Sequence, residues 1–138
     1  MSGKREPNAS SLQTKAAILD AALTTLRDEG IANASARAIA RAGHISQASI
    51  FYHFGTVDDA LVAAFENLLA DQRHHYDAAL VAVKTRSELQ SALVHLINED
   101  LARGITTTIA QGLAGATHHP HMGPKLRVAS RDWLEVIE

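Results

Sequence analysis

The chain has 138 residues, a formal net charge of −2, no cysteine and few aromatics: one Trp, two Tyr and three Phe. With 46% apolar and 20% charged residues it has a core to bury, which excludes a largely disordered chain, and no apolar run approaches the roughly 18 residues of a membrane span, which excludes a membrane protein. Zero Cys excludes a disulfide scaffold, a Cys-based zinc site and a thiol nucleophile, and the opening MSGKREPNASS lacks the apolar stretch of a signal peptide, so a cytoplasmic location is expected.

Residues 1–55 carry six basic and four acidic side chains, the remainder seven and eleven, so the N-terminal end is the better candidate for meeting phosphate. Proline occurs only at 7, 120 and 124, so residues 8–119 hold nothing that forbids a helix interior, and no alternating strand pattern appears. The fold class is all-α. A first helix is expected from an N-cap at Thr14 to Glu29, with Ile18, Leu19, Ala22, Leu23 and Leu26 on its apolar side and Gly30 as its stop. A short second helix follows Ser35 as N-cap, turns Ile39 inward and ends at Ala42 or Gly43. A third follows Ser46 as N-cap and runs to about His53, anchored by Ile45, Ile50 and Phe54. Two short helices joined by about three residues have the spacing of a helix-turn-helix, whose second helix offers its first turns to the major groove. The exposed positions there are Gln47, Ala48, Ser49 and Tyr52. Gln pairs bidentately with adenine, Ser donates or accepts, and Ala touches a thymine methyl.

A long helix is expected from Thr56, with Asp59 completing an approximate capping box, to about Val83. Its apolar stripe is Leu61, Phe65, Leu68, Leu69, Tyr76, Leu80 and Val83. Helices over 87–103, with Leu89, Leu93, Leu96, Ile97 and Leu101, and over about 105–116, with Ile105, Ile109 and Leu113, follow the same rule. The stretch GLAGATHHPHMGP reads as punctuation, and a last helix runs from 124 to the end with Leu126, Trp133, Leu134 and Ile137 and no stop signal. A helical wheel places Gln72 and Tyr76 inside the long helix's stripe and Asp100 inside the next. A buried unpaired Asp is costly, so Asp100 is expected either to pair locally with Arg103 or to line a ligand cavity with Gln72 and Tyr76.

Residues 15–66, KAAILDAALTTLRDEGIANASARAIARAGHISQASIFYHFGTVDDALVAAFE, resemble the N-terminal DNA-binding domain of the TetR family of bacterial transcriptional regulators. The resemblance rests on ILDAAL, the stop at Gly30, Ser35-x-Arg37-x-Ile39-Ala40, and Ile45-Ser46-x-x-x-Ile50-Phe51-x-His53-Phe54-Gly55 leading into Thr56-x-x-Asp59-Ala60-Leu61. It implies a DNA-binding helix-turn-helix domain with its tail over residues 1–55 and a helical ligand-binding and dimerisation region over 56–138, incomplete at its C-terminal end. It further implies a homodimer on palindromic double-stranded operator DNA, a repressor released by a small-molecule inducer, and no cofactor. Ser35, Arg37, His44, Ser46 and His53 then join Gln47, Ala48, Ser49 and Tyr52 on the DNA-binding surface. The departures are specific: Phe51 stands where Tyr is usual, Val57 where Lys is common, and His44 in place of the usual turn Gly, with Gly43 one position earlier. No Lys or Arg lies between Gly43 and Gly55, so affinity should lean on Arg37, Arg41, Lys15, the Lys4-Arg5 pair and the helix N-termini.

An enzyme or metal-binding reading would rest on His118, His119 and His121, with His74 and His75 earlier. No HExxH helix accompanies them, a Pro-Gly loop supplies no rigid geometry, and no GxSxG elbow is present, so neither catalysis nor a metal site is expected. The thinly basic third helix leaves one further alternative, a helical interaction module that has lost DNA binding.

Overall fold

The structure, a computed structural model, describes residues 8–134, and all the regular structure in them is helical. The helices are α1 (Ala9–Glu29), α2 (Ala36–Gly43), α3 (Gln47–Phe54), α4 (Val57–Leu80), α5 (Arg86–Ala102), α6 (Ile105–His118) and α7 (Met122–Leu134), with a 3-10 turn at Ile31–Asn33 between α1 and α2. None of the described helices is long and apolar enough to cross a membrane.

Five of the helix starts have a side-chain cause. Asn8, Ser35, Ser46, Thr56 and Thr85 are in extended conformation, and each side chain accepts a backbone N–H that the following helix leaves free. The N-cap of α1 thus lies six residues before the expected Thr14. Asn8 supplies the cap, and the Thr14 hydroxyl instead bonds the Ser10 carbonyl inside the helix at 3.0 Å. At Thr56 the expected capping box is half made. Thr56 Oγ1 accepts the Asp59 N–H at 3.0 Å, but the Asp59 carboxylate turns to Lys125 of α7. α5 has the full box, since Glu88 also reaches back to the Thr85 N–H at 3.1 Å.

One apolar core runs through Ile18, Ala22 and Leu26 of α1, Ile39 of α2, Ile50 of α3, Leu61 and Phe65 of α4, and Met122 and Leu126 of α7. α4 and α7 thus share a core with α1, α2 and α3 instead of hanging from them. Pro124 sits in the first turn of α7, where a missing N–H costs nothing, so that helix starts at Met122. The side chains of Trp133 and Leu134, and Ile137 altogether, lie outside the described residues.

Two expectations fail on burial. On α5 only Leu96 and Asp100 are buried, while Leu89, Leu93, Val94, Ile97 and Leu101 remain 40–60% exposed, and Leu113 of α6 is also exposed. Periodicity shows which side of a helix is apolar but not how much of that side its neighbours cover. The α4 stripe likewise leaves full burial after Gln72, with Tyr76, Leu80 and Val83 only half-buried.

Gly112 and Gly115, expected to punctuate, lie inside α6 for a different reason. A Cβ on Gly112 would stand 2.2 Å from Cε2 of the buried Phe65 ring, and one on Gly115 would stand 3.1 Å from Cγ1 of Ile31. The missing side chains let α6 lie flush against α4 and the 3-10 turn. Gly112→Ala is therefore expected to destabilise the fold by about 1–3 kcal/mol through overpacking. Urea unfolding would show this as a lower midpoint at unchanged slope, and an unchanged midpoint would mean that α6 does not rest on Phe65.

Candidate nucleic-acid interface and ligand site

α2 buries Ala36, Ala38, Ile39 and Ala40, which leaves Ser35, Arg37 and Arg41 facing solvent. Ser35 Oγ accepts the Ala38 N–H at 3.2 Å. Arg37 has no ion-pair partner among the described residues, whereas Arg41 donates to Glu29 at 2.7 Å and gives up part of its field. The chain turns between α2 and α3 through His44, which takes the left-handed conformation at φ 52° and ψ 41°. Glycine stands at 43 instead because a Cβ there would lie 2.8 Å from Cβ of Ala21 on α1. Packing thus claims the glycine, and His44 accepts the strain of the turn.

On α3, Ser46 Oγ accepts the Ser49 N–H at 3.1 Å and lies 2.8 Å from Ser49 Oγ, so the two hydroxyls are paired with each other at the head of the helix. Gln47, Ala48 and Tyr52 are exposed, and Tyr52 is 84% so. The Tyr52 ring meets His53 edge-on at 5.1 Å, and His53 is half-buried. Lys15 reaches from α1 to place its Nζ 5.6 Å from the centre of the Phe54 ring, bringing a cation to the end of α3 that the helix itself lacks. Lys4 and Arg5 lie outside the described residues.

The second site joins α4 and α5. Gln72 and Asp100 are buried, and Tyr76 is half-buried. Gln72 Nε2 donates to Asp100 Oδ1 at 2.7 Å, and the Tyr76 hydroxyl donates to Asp100 Oδ2. Of the two partners expected for Asp100, the structure selects Gln72 and Tyr76 and not Arg103. Arg103 instead lines a groove of about 560 Å³ with Leu19, Leu23, Leu68, Gln72 and Thr108. Burial, helped by the bond to Asp100 and its charge, pushes the Tyr76 phenol up to about 12, so it remains a donor at neutral pH.

The residues that sequence reasoning missed are tied across long separations. Glu99 meets His75 of α4 at 3.2 Å and His95 at 3.5 Å, and the i,i+4 spacing signals only the His95 contact. Lys125 holds the Asp59 carboxyl below the usual carboxylate range by hydrogen bonding, and no local pattern announces a pair 66 residues apart. Among the described residues no three His, Asp or Glu converge on a point that holds a metal ion.

A family model, bacterial regulatory proteins of the tetR family, matches residues 18–64. The HTH-type transcriptional regulator BetI of Agrobacterium fabrum is 35% identical over 80 residues, which cover 58% of this chain and 39% of that protein. The chain thus spans about two fifths of the length of the curated relatives it matches. Among solved structures, the transcriptional regulator SCO7518 of Streptomyces coelicolor A3(2) superposes with a TM-score of 0.73 at 26% identity, over 89% of this chain and 70% of that one. The multidrug binding protein EbrR complexed with imidazole superposes at 0.68 and 28% identity, over 88% and 66%, and its ethidium complex at 0.63 and 26%, over 88% and 70%. The capped α2–turn–α3 unit lies inside the matched segment, so residues 18–64 carry the likeness to the TetR family's regulatory proteins, and the remaining helices are arranged as in these solved structures.

Proposed function

We propose that this chain is a DNA-binding transcriptional regulator, a repressor that reads a palindromic operator as a cytoplasmic homodimer and is released by a small molecule. The division of labour is residues 1–55 for DNA and 56–138 for ligand and dimerisation. The observation that carries the reading is the exposed first turns of α3, with Gln47, Ala48 and Tyr52 free to meet base edges behind a Ser46 cap. Phosphate contacts fall to Arg37, Lys15, His53 and the N-termini of α2 and α3. The ligand site is Gln72, Tyr76 and Asp100. Among the described residues Asp100 takes bonds only from neutral donors, so an organic cation is the charge complement that these leave open. The ethidium complex of EbrR, a related protein bound to an organic cation, supports that class.

Selection of bound DNA from a random pool tests the reading, and an inverted repeat is the expected product. The rival, a helical interaction module that has lost DNA binding, would select none. Binding by the regulator should also weaken with salt at a log–log slope of about −0.9 per phosphate contact.

On the selected operator, Gln47→Ala should change which base is preferred at one position by roughly 1–3 kcal/mol of discrimination. Arg37→Ala should instead weaken all sequences nearly alike and lower the salt slope by about one. Unchanged binding by both variants would place the reading surface elsewhere.

In the ligand site, Asp100→Asn keeps an acceptor for Gln72 and removes the charge. Ethidium titrated into the free protein and followed by fluorescence should bind this variant about tenfold more weakly, or worse, a loss of about 1.4 kcal/mol. Operator affinity without ligand should be unchanged, because a ligand acts only through its different affinity for two conformations. Equal affinity of the native protein and Asp100→Asn for the dye would remove Asp100 from the site.

A further inference from the structure

α6 touches the DNA-binding half at a corner that no local rule accounts for. Behind α1 the backbone bonds run from Gly30 N–H to Leu26 O, from Asn33 N–H to Gly30 O and from Ala34 N–H to Ile31 O. That pattern leaves the Ile31 N–H, at the head of the 3-10 turn, without a backbone acceptor. It is met from 80 residues away, by Oε1 of Gln111 on α6 at 2.9 Å.

The surroundings hold that side chain in place. Ile105, Thr108, Gly112 and Gly115 form the buried stripe of α6, and Gln111 stands beside it. Gly112 seats α6 on Phe65, Gly115 seats it on Ile31, and a Cβ at Gly30 would stand 3.2 Å from Gln111 Oε1. Downstream of the clasped amide the chain has only the 3-10 turn and Ala34 before Ser35 caps α2, whose first turn carries Arg37. Upstream, α6 joins α5 at Gly104, one turn after Asp100, where Gly104 lies against the Arg27 side chain of α1.

We propose that Gln111 is a positioning residue for DNA reading: by accepting the Ile31 N–H it makes the entry to α2 follow the position of α6. The proposal rests on the DNA-reading function given above. With the clasp made, α2 and α3 are held ready to dock; with it broken, the connector moves independently of α6 and the ordering falls on the binding step. The clasp also gives the Asp100 cluster a covalent and packed route to the helix-turn-helix, through the Gly104 corner and α6.

Two variants separate the hydrogen bond from mere packing. Gln111→Met keeps the side chain's length and removes the acceptor, while Gln111→Glu keeps an acceptor at the same reach. In the free protein, hydrogen exchange at the Ile31 amide should quicken by about tenfold in Gln111→Met, as for a lost hydrogen bond in a locally opening segment, and return toward the native rate in Gln111→Glu. On the operator recovered from the random pool, Gln111→Met should bind about fivefold or more weakly with the salt slope unchanged, since no phosphate contact is lost, and Gln111→Glu should restore affinity. Native-like exchange in Gln111→Met would overturn the clasp. Faster exchange with unaltered operator affinity would overturn the positioning role alone. Failure of the native protein to select any DNA would overturn the DNA-reading function on which the proposal stands, and the exchange measurement would still report on the bond itself.

Discussion

The contact between the Phe65 ring and the bare backbone of Gly112 decides how the two halves of this protein meet. Phe65 is 1% exposed and belongs to the core that α1, α2, α3, α4 and α7 build together. Because position 112 carries no side chain, α6 comes close enough for Gln111 to reach Ile31 and for Gly115 to rest on the same residue. An interior packed to crystal-like density passes a displacement on instead of absorbing it. A shift of α6 is therefore felt at the 3-10 turn, and a shift of α4 is felt where α3 ends.

Electrostatics on the α2–α3 face follow from what packing leaves available. α3 has no Lys or Arg, and Arg41 is tied to Glu29, so among the described residues of α1 to α3 the positive charge without an ion-pair partner sits on Arg37 and on Lys15 over Phe54. A surface with few phosphate contacts has a shallow salt dependence and leans more on base edges, helix N-termini and preorganisation. That makes the local order of the α2 entry, and the left-handed turn at His44, matter more than they would on a strongly basic face.

The α4–α5 pair sets a satisfied polar cluster beside an uncovered apolar surface. Asp100 is buried and receives two bonds from α4, and Glu99, the residue before it, takes two histidines on the outer side. Directional bonds hold α5 to α4 where apolar cover is thin, since Leu89, Leu93, Val94, Ile97 and Leu101 face solvent. A cluster whose members all have partners holds one arrangement firmly.

The sequence by itself determined the all-helical class, the order of the helices, the Ser35 and Ser46 caps, the two-helix reading unit and the apolar anchors Ile18, Ile39, Ile50 and Phe65. Each follows from a rule spanning one to four residues, a cap, a 3.6-residue period or a glycine stop, and such rules are written locally. The wheel also put Gln72, Tyr76 and Asp100 on inward faces, but it left the partner of Asp100 open. Choosing Gln72 and Tyr76 over Arg103 needed the relative rotation of α4 and α5. Only the tertiary structure could show that Gly112 and Gly115 are seats and not stops, that Gly43 is claimed by Ala21 while His44 turns the chain, and that most of the α5 stripe stays uncovered. These outcomes depend on pairs 22 to 84 residues apart, and the backbone approach that decides them is a property of packed helices, not of any one segment.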